Sequence, residues 1–248
     1  MEILLAFLSA ILPALLLIVF IYIKDREHPE PLKLILKGFF FGCLSIVLSL
    51  TFTEIMSFFR PSGFDNIPVI RGIFTSFFDA ALPEETAKLI MLWLLVRKNK
   101  EFDEALDAIV YSVCIGMGFA CTENIMYVFE SDNWVAVALL RAVLAVPGHY
   151  IDAVLMGFFF ALVHFMPKKF GKYRLCIWLV PFLAHGIYDS LCFIMEDVSI
   201  LAGFVVFALL YFCFRMHRFC LSRINSIMLL SKDFNDAKAF EMGMKNEG

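Results

Sequence analysis

Pro83-Glu84-Glu85-Thr86-Ala87-Lys88 decides how the chain is read. Two adjacent carboxylates, with a lysine one helical turn later, interrupt a run that is almost wholly apolar from Phe74 to Leu82 and from Leu89 to Val96. In a soluble protein the same six residues would be an ordinary helix start, with proline first and acids in the first turn. The flanks argue otherwise. A charged side chain at membrane depth costs roughly 2.5–3.5 kcal/mol on insertion scales, so an acid pair there points to a function.

The rest of the composition agrees with a membrane setting. The 248 residues are 61% hydrophobic, 16% aromatic and only 18% charged, where soluble domains are about 45–50% apolar. The expected class is therefore all-α, a polytopic transmembrane helical bundle. The net charge of −3 says little about partners, and no basic face interleaved with aromatics appears, so nucleic acid is not an expected partner. The cysteines include no CxxC pair, and all but Cys220 lie in apolar runs. They read as small buried hydrophobes.

Apolar runs at 3–23, 34–56, 79–96, 105–129, 149–166, 175–195 and 200–214 give about seven spans. Residues 69–82, marked by Arg71 and Asp79, read as an interfacial or re-entrant lead-in to the Glu84-Glu85 helix. The first run follows only Glu2 and lacks a small-residue cleavage site, so a removed signal peptide is not expected. Lys and Arg concentrate in 24–37, 97–104, 167–174 and the C-terminal tail, whereas 130–133 and 196–199 hold none. The positive-inside rule then places the N-terminus outside and the C-terminus in the cytoplasm. This requires 134–146, apolar around Arg141, not to cross. The expected division is a transmembrane domain over 1–215 and a cytoplasmic tail over 216–248.

On that topology, polar groups of four separate segments reach one depth in the outer half of the membrane. Glu84 and Glu85 lie about 8–10 Å in, at 1.5 Å per residue. Glu123 and Asn124 lie near the outer end of the 105–129 span, His149 and Asp152 open the 149–166 span, and His185 and Asp189 fall in the outer half of 175–195. His185 and Asp189 are i,i+4 and share a helix face, as do Phe119, Glu123 and Tyr127. Pro147-Gly148 suggests a helix start just before His149. Glu54 and Asp107, at span ends, are expected to be solvated, and Arg141 either snorkels or counters the carboxylates.

Two carboxylates side by side with one lysine do not both carry a full negative charge easily. One is left able to take a proton from water as a general base. Imidazole N–H or asparagine amide groups could stabilise the resulting oxyanion. Water, base and oxyanion donor are what peptide hydrolysis needs, and no Ser or Cys sits in a recognisable nucleophile setting. The same Glu and His residues could instead hold zinc, with Glu85, His149 and His185 as ligands, although no HExxH is present. The reading favours no cofactor, with zinc as the alternative.

The motifs Glu84-Glu85-Thr86-Ala87-Lys88, Phe119 to Asn124 (FxxxEN), Pro147-Gly148-His149 and His185 to Asp189 (HxxxD) resemble, in this order, the PrsW family of bacterial membrane proteases. That family is related to the wider group of prenyl-protease-like membrane enzymes. The resemblance covers roughly 1–215. It implies Glu84 and Glu85 as catalytic acids, His149 and His185 as assisting groups, and Glu123, Asn124 and Asp189 as completing the site; from their own positions Lys88 and Asp152 are expected as supporting groups. It also implies a bacterial cell-membrane location and a single-span anti-sigma factor as substrate, cut by regulated proteolysis at or near the outer edge of the bilayer. The prenyl proteases have a different second motif and commonly carry Asn where this chain has Asp189, which counts against a prenylated substrate. A proton-coupled transporter would use buried acids and histidines too, and predicts polar residues through the whole membrane depth.

Overall fold

A computed structural model describes residues 1–59, 67–197 and 202–246, with side chains described for 1–59, 67–195 and 203–231. Every regular element among them is helical: α1 (Glu2–Lys24), α2 (Leu32–Ser57), α3 (Pro68–Phe74), α4 (Leu82–Val96), α5 (Ala105–Glu130), α6 (Trp134–Leu140), α7 (Val146–Phe165), α8 (Pro167–Phe170), α9 (Cys176–Asp197) and α10 (Ala202–Asn246). Six helical runs among the described residues are long and apolar enough to cross a membrane. In hydrocarbon only such internally hydrogen-bonded elements are tolerated.

The bundle is built around α5, which packs against α1, α2, α4, α6, α7 and α10. Of its apolar window, 94% is buried, as expected for a helix with no polar face. Lipid tails are as apolar as leucine, so close packing of small residues has to hold the helices together. The sequence supplies them in i,i+4 stripes. Ala6, Ala10 and Ala14 form the buried face of α1, and Gly38, Gly42, Ser45 and Ser49 that of α2. The long side chains of Leu4, Leu8, Leu15, Phe40, Val47, Phe204 and Phe207 point outward. Gly42 and Gly118 mark the closest approach. A Cβ on Gly42 would sit 2.1 Å from the Ile115 carbonyl oxygen, and one on Gly118 would sit 2.0 Å from that of Phe39.

Two prolines shape the segments that carry chemistry. Residues 68–96 form one continuous helical run in which a π-helical stretch, Thr75–Ala81, joins α3 to α4. A second π stretch, Arg141–Ala145, joins α6 to α7. Each ends two residues before a proline, Pro83 and Pro147. Proline lacks an N–H and crowds the carbonyl four residues back, and a π turn relieves that clash. The Asp79 carbonyl, which loses its helical partner to Pro83, accepts a hydrogen bond from Thr53 Oγ1 of α2 at 3.0 Å.

These stretches change three sequence expectations. Residues 69–82 are straight-through helix, packed on α9 through Gly72, whose added Cβ would lie 3.2 Å from Phe193 Cβ. Pro147-Gly148 starts no new helix, because Trp134–Phe165 is a single helical run of 32 residues; the π stretch carries the backbone past the proline. Asp107 is fully buried, not solvated, because Glu104 and Asp107 form a capping box at the start of α5. The 68–96 run is too charged to stand among the six apolar ones. The expected boundary at 215 falls inside α10, where Cys220, Ile224 and Ile227 are buried against the bundle. The expected polar turn after α2 lies mostly, and the acidic turn after α9 partly, outside the described residues.

Replacing Gly118 by Val should destabilise the bundle by at least about 1–3 kcal/mol, the usual cost of overpacking, because the obstructing atom is backbone. Thermal unfolding in detergent checks this, with Gly171→Ala, which meets nothing within 4 Å, as the neutral control.

Candidate active site

The first turn of α4 presents the acid pair in two different environments. The Glu85 side chain is 0% exposed, while that of Glu84 is 12% exposed. Lys88, itself buried, lies 2.7 Å from Glu85 Oε1 and 3.5 Å from Glu84 Oε2. Its ammonium also lies 4.2 Å from the centroid of the Phe119 ring, a cation–π contact that supplies part of what water would give. Helical spacing makes this unit: residues i, i+3 and i+4 share a face.

α5 and α7 add the next layer. His149 Nδ1 lies 3.2 Å from Lys88 Nζ. An ammonium has no lone pair, so Nδ1 accepts and the ring hydrogen sits on Nε2. That hydrogen is directed at Glu123 Oε2, 2.8 Å away. Glu123 also receives Arg141 Nη2, and Arg141 Nε donates to Asn124 Oδ1 at 2.6 Å. The amide of Asn124 is turned away, donating to the Ala10 carbonyl of α1 at 3.1 Å. Asn124 therefore fastens Arg141 and α1 to the site, and both ends of its amide are used.

α9 closes the arrangement with His185. Its Nδ1 is 2.8 Å from Glu85 Oε1 and 3.8 Å from Asp152 Oδ2, and its Nε2 is 3.2 Å from Asp189 Oδ2 and 3.8 Å from Glu84 Oε2. Carboxylate oxygens thus lie beside both ring nitrogens. The His149 and His185 rings meet edge to face, with centroids 5.3 Å apart. Trp178 Nε1 donates to Thr86 Oγ1 at 3.0 Å and ties α9 to α4 one turn deeper.

A cavity of about 380 Å³ is lined by Glu84, Glu123, His149, Asp152, His185 and Asp189 on its polar side. Its other walls come from α6, α7, α9 and α10, including Val137, Leu140, Phe193 and Leu209. Glu85 and Lys88 lie behind this wall. Five carboxylates face two fixed cations, Lys88 and Arg141, so the site is acidic overall. Glu84, Glu85, His149 and His185 each offer a ligand atom, and these all lie within 4.8 Å of one another. Glu85 Oε2 is buried without a hydrogen-bond partner among the described residues. Mixed carboxylate and imidazole donors with one unsatisfied oxygen fit a zinc-class ion.

Every residue singled out in the sequence is gathered here: Glu84, Glu85, Lys88, Glu123, Asn124, His149, Asp152, His185 and Asp189. The groups that sequence reading left undecided or passed over are Arg141, which counters Glu123 rather than snorkelling, and the Thr86–Trp178 pair. Arg141 was legible as a charge in an apolar run. Thr86 and Trp178, separated by 92 residues, carry no local signal. Among the remaining histidines, His164 packs on Phe102, Phe160 and Phe165, away from the site.

Comparison with known proteins places the chain among membrane proteases. A family profile described as PrsW family intramembrane metalloprotease matches residues 30–214. The chain is similar to the protein named Protease PrsW of Geobacillus kaustophilus, 35% identical over 201 residues that cover 81% of this chain and 85% of the relative. It is 36% identical to the Protease PrsW of Oceanobacillus iheyensis over 86% of this chain and 96% of that one. It is 31% identical to the Protease PrsW of Bacillus subtilis over 77% and 83% respectively. No solved structure matches.

Substituting Lys88 by Met should leave Glu85 buried without its ammonium and destabilise the protein by about 3–5 kcal/mol, the usual cost of removing one partner of a buried ion pair. The double change Lys88→Met with Glu85→Gln should recover a large part of the loss in the same thermal unfolding measurement.

Proposed function

Because the chain belongs to the PrsW family of intramembrane proteases, we propose that it cuts a single-span membrane protein by direct attack of water, with Glu84 as general base. The chain is a multi-pass bacterial membrane protein and a membrane-embedded peptidase. The observation that carries the proposed mechanism is the asymmetry of the acid pair: Glu84 borders the cavity, and Glu85 lies sealed behind it between Lys88 and His185.

A water beside Glu84 attacks the scissile carbonyl carbon while its proton passes to the Glu84 carboxylate. His185 lines the same cavity wall, and its Nε2, 3.2 Å from Asp189 Oδ2, would serve the developing oxyanion by exchanging that contact for it. The proton held on Glu84 then goes to the leaving nitrogen as the C–N bond breaks. Glu85 keeps the His185 ring and Lys88 in place, and the chain from Lys88 through His149 and Glu123 to Arg141 fixes the opposite wall. A divalent ion held by Glu84, Glu85, His149 and His185 would supply Lewis-acid polarisation and lower the pKa of bound water.

The apolar cavity walls suit a segment of a membrane-spanning substrate, and the family resemblance points to an anti-sigma factor. With the basic loops on the cytoplasmic side, as the positive-inside rule expects, the cavity would lie under the outer headgroups, which suits such a cut. Against the transporter reading, residues 108–121 of α5 are buried and almost entirely apolar, with Tyr111 and Ser112 near one end.

Purified Glu84→Gln protein should cleave a single-span anti-sigma-factor substrate at least about 100-fold more slowly, the low end of a general-base contribution, while melting near the wild-type temperature. Undiminished cleavage by both Glu84→Gln and Glu85→Gln would reject the assignment, and so would proton flux in proteoliposomes without cleavage.

A further inference from the structure

α9 brings His185 to the acid pair, and two contacts on either side of that histidine fix where it stands. On the 68–96 run, Phe77 and Thr86 bracket Glu84 and Glu85; on α9, Trp178 and Gly186 bracket His185. These four residues meet in pairs. Trp178 Nε1 donates to Thr86 Oγ1 at 3.0 Å. Gly186 receives the Phe77 ring, which a Cβ added there would strike.

Phe182 joins the two pairs. Its ring stacks on Trp178 with centroids 4.7 Å apart and meets Phe77 edge to face at 5.4 Å. The Thr86 hydroxyl donates its own hydrogen to the Leu82 carbonyl at 2.6 Å. Its oxygen is left to accept, and an indole N–H can only donate. Trp178 precedes His185 by seven residues, close to two helical turns, so both lie on one face of α9.

Such anchors are needed because lipid tails give helices little reason to prefer one register over another. Leu183 and Ile187, on the far side of α9, are each 42% exposed. The chemistry tolerates little drift: a displacement of about 1 Å can cost about 100-fold in rate. His185 Nε2 stands 3.2 Å from Asp189 Oδ2 and 3.8 Å from Glu84 Oε2. Asp189 belongs to α9 itself and moves with the histidine, so it cannot set the ring's distance from α4. Glu85 Oε1 does come from α4, but it is shared with Lys88.

We propose that Trp178 is a positioning residue for the hydrolysis: its hydrogen bond to Thr86, with Phe77 seated at Gly186, sets the depth and rotation of α9 and thereby the place of His185 relative to Glu84. The inference rests on the reading of Glu84 as general base and His185 as oxyanion donor.

The test is steady-state cleavage of a single-span substrate by the full chain in detergent. Trp178→Phe keeps a ring against Phe182 and removes the donor; Thr86→Val keeps the shape and removes the acceptor. Each should lower kcat about 10- to 100-fold with KM unchanged, and lower Tm by no more than about 4 °C. The double variant should be no slower than either single one. In a His185→Gln background Trp178→Phe should add nothing, because the group it places is gone. If Trp178→Phe does not fold, Thr86→Val carries both comparisons. The proposal is overturned if both single variants turn over at the wild-type rate, if their loss lies in KM alone, or if Trp178→Phe slows the His185→Gln protein as much as it slows wild type. Glu84→Gln, assayed beside them, separates this inference from the reading beneath it. Full activity of Glu84→Gln rejects that reading and the inference with it, whereas a slow Glu84→Gln beside a fast Trp178→Phe rejects the positioning role alone.

Discussion

An ammonium and a carboxylate 2.7 Å apart with no access to water, Lys88 and Glu85, form the contact on which the bundle's polar half depends. Two isolated charges at that depth would be expelled or neutralised. Their presence obliges neighbouring helices to bring partners, and α5, α7 and α9 each do so. The Phe119 ring covers the ammonium, His149 receives its second hydrogen bond, and His185 takes the second contact to Glu85 Oε1. Polar side chains thereby fix the register of four helices whose apolar surfaces would pack in several ways.

The two π stretches belong to the same logic. Pro83 and Pro147 stand next to the acid pair and to His149, where an uninterrupted α-helix would clash. An extra residue per turn on the N-terminal side lets each helix continue, and it rotates the following residues relative to those before. Thr53 then satisfies the carbonyl that Pro83 leaves open. Backbone irregularity and the candidate site coincide because each proline stands beside the polar groups it helps to position, Pro83 next to Glu84 and Pro147 two residues before His149.

The chain separates two kinds of acidity along α5. One end mixes carboxylates with imidazoles, an ammonium and a guanidinium around a cavity. The other end holds carboxylates with backbone N–H groups and a tyrosine hydroxyl, and no cavity lines it among those described. Between them the core is apolar and close-packed, with glycines at the α2–α5 crossing. The stretch separates the candidate active site from the opposite end of α5.

The sequence alone determined the class, the candidate residues and the resemblance to the PrsW family, because charge in an apolar run is costly enough to be legible one residue at a time. Glu84, Glu85, Lys88, Arg141, His149 and His185 announce themselves that way. Three matters were decided only by tertiary structure. Which glutamate meets the cavity depends on the rotation of α4 set by its π stretch. Asn124 was a candidate donor until both ends of its amide were seen engaged with Ala10 and Arg141. Asp107 reads as a solvated span end, yet it caps the start of α5 and is buried where the turn carrying Glu30, which accepts the Tyr111 hydroxyl 81 positions away, meets that helix. Contacts between residues far apart in the chain leave no periodic trace, and there the reading of one strand of letters stops.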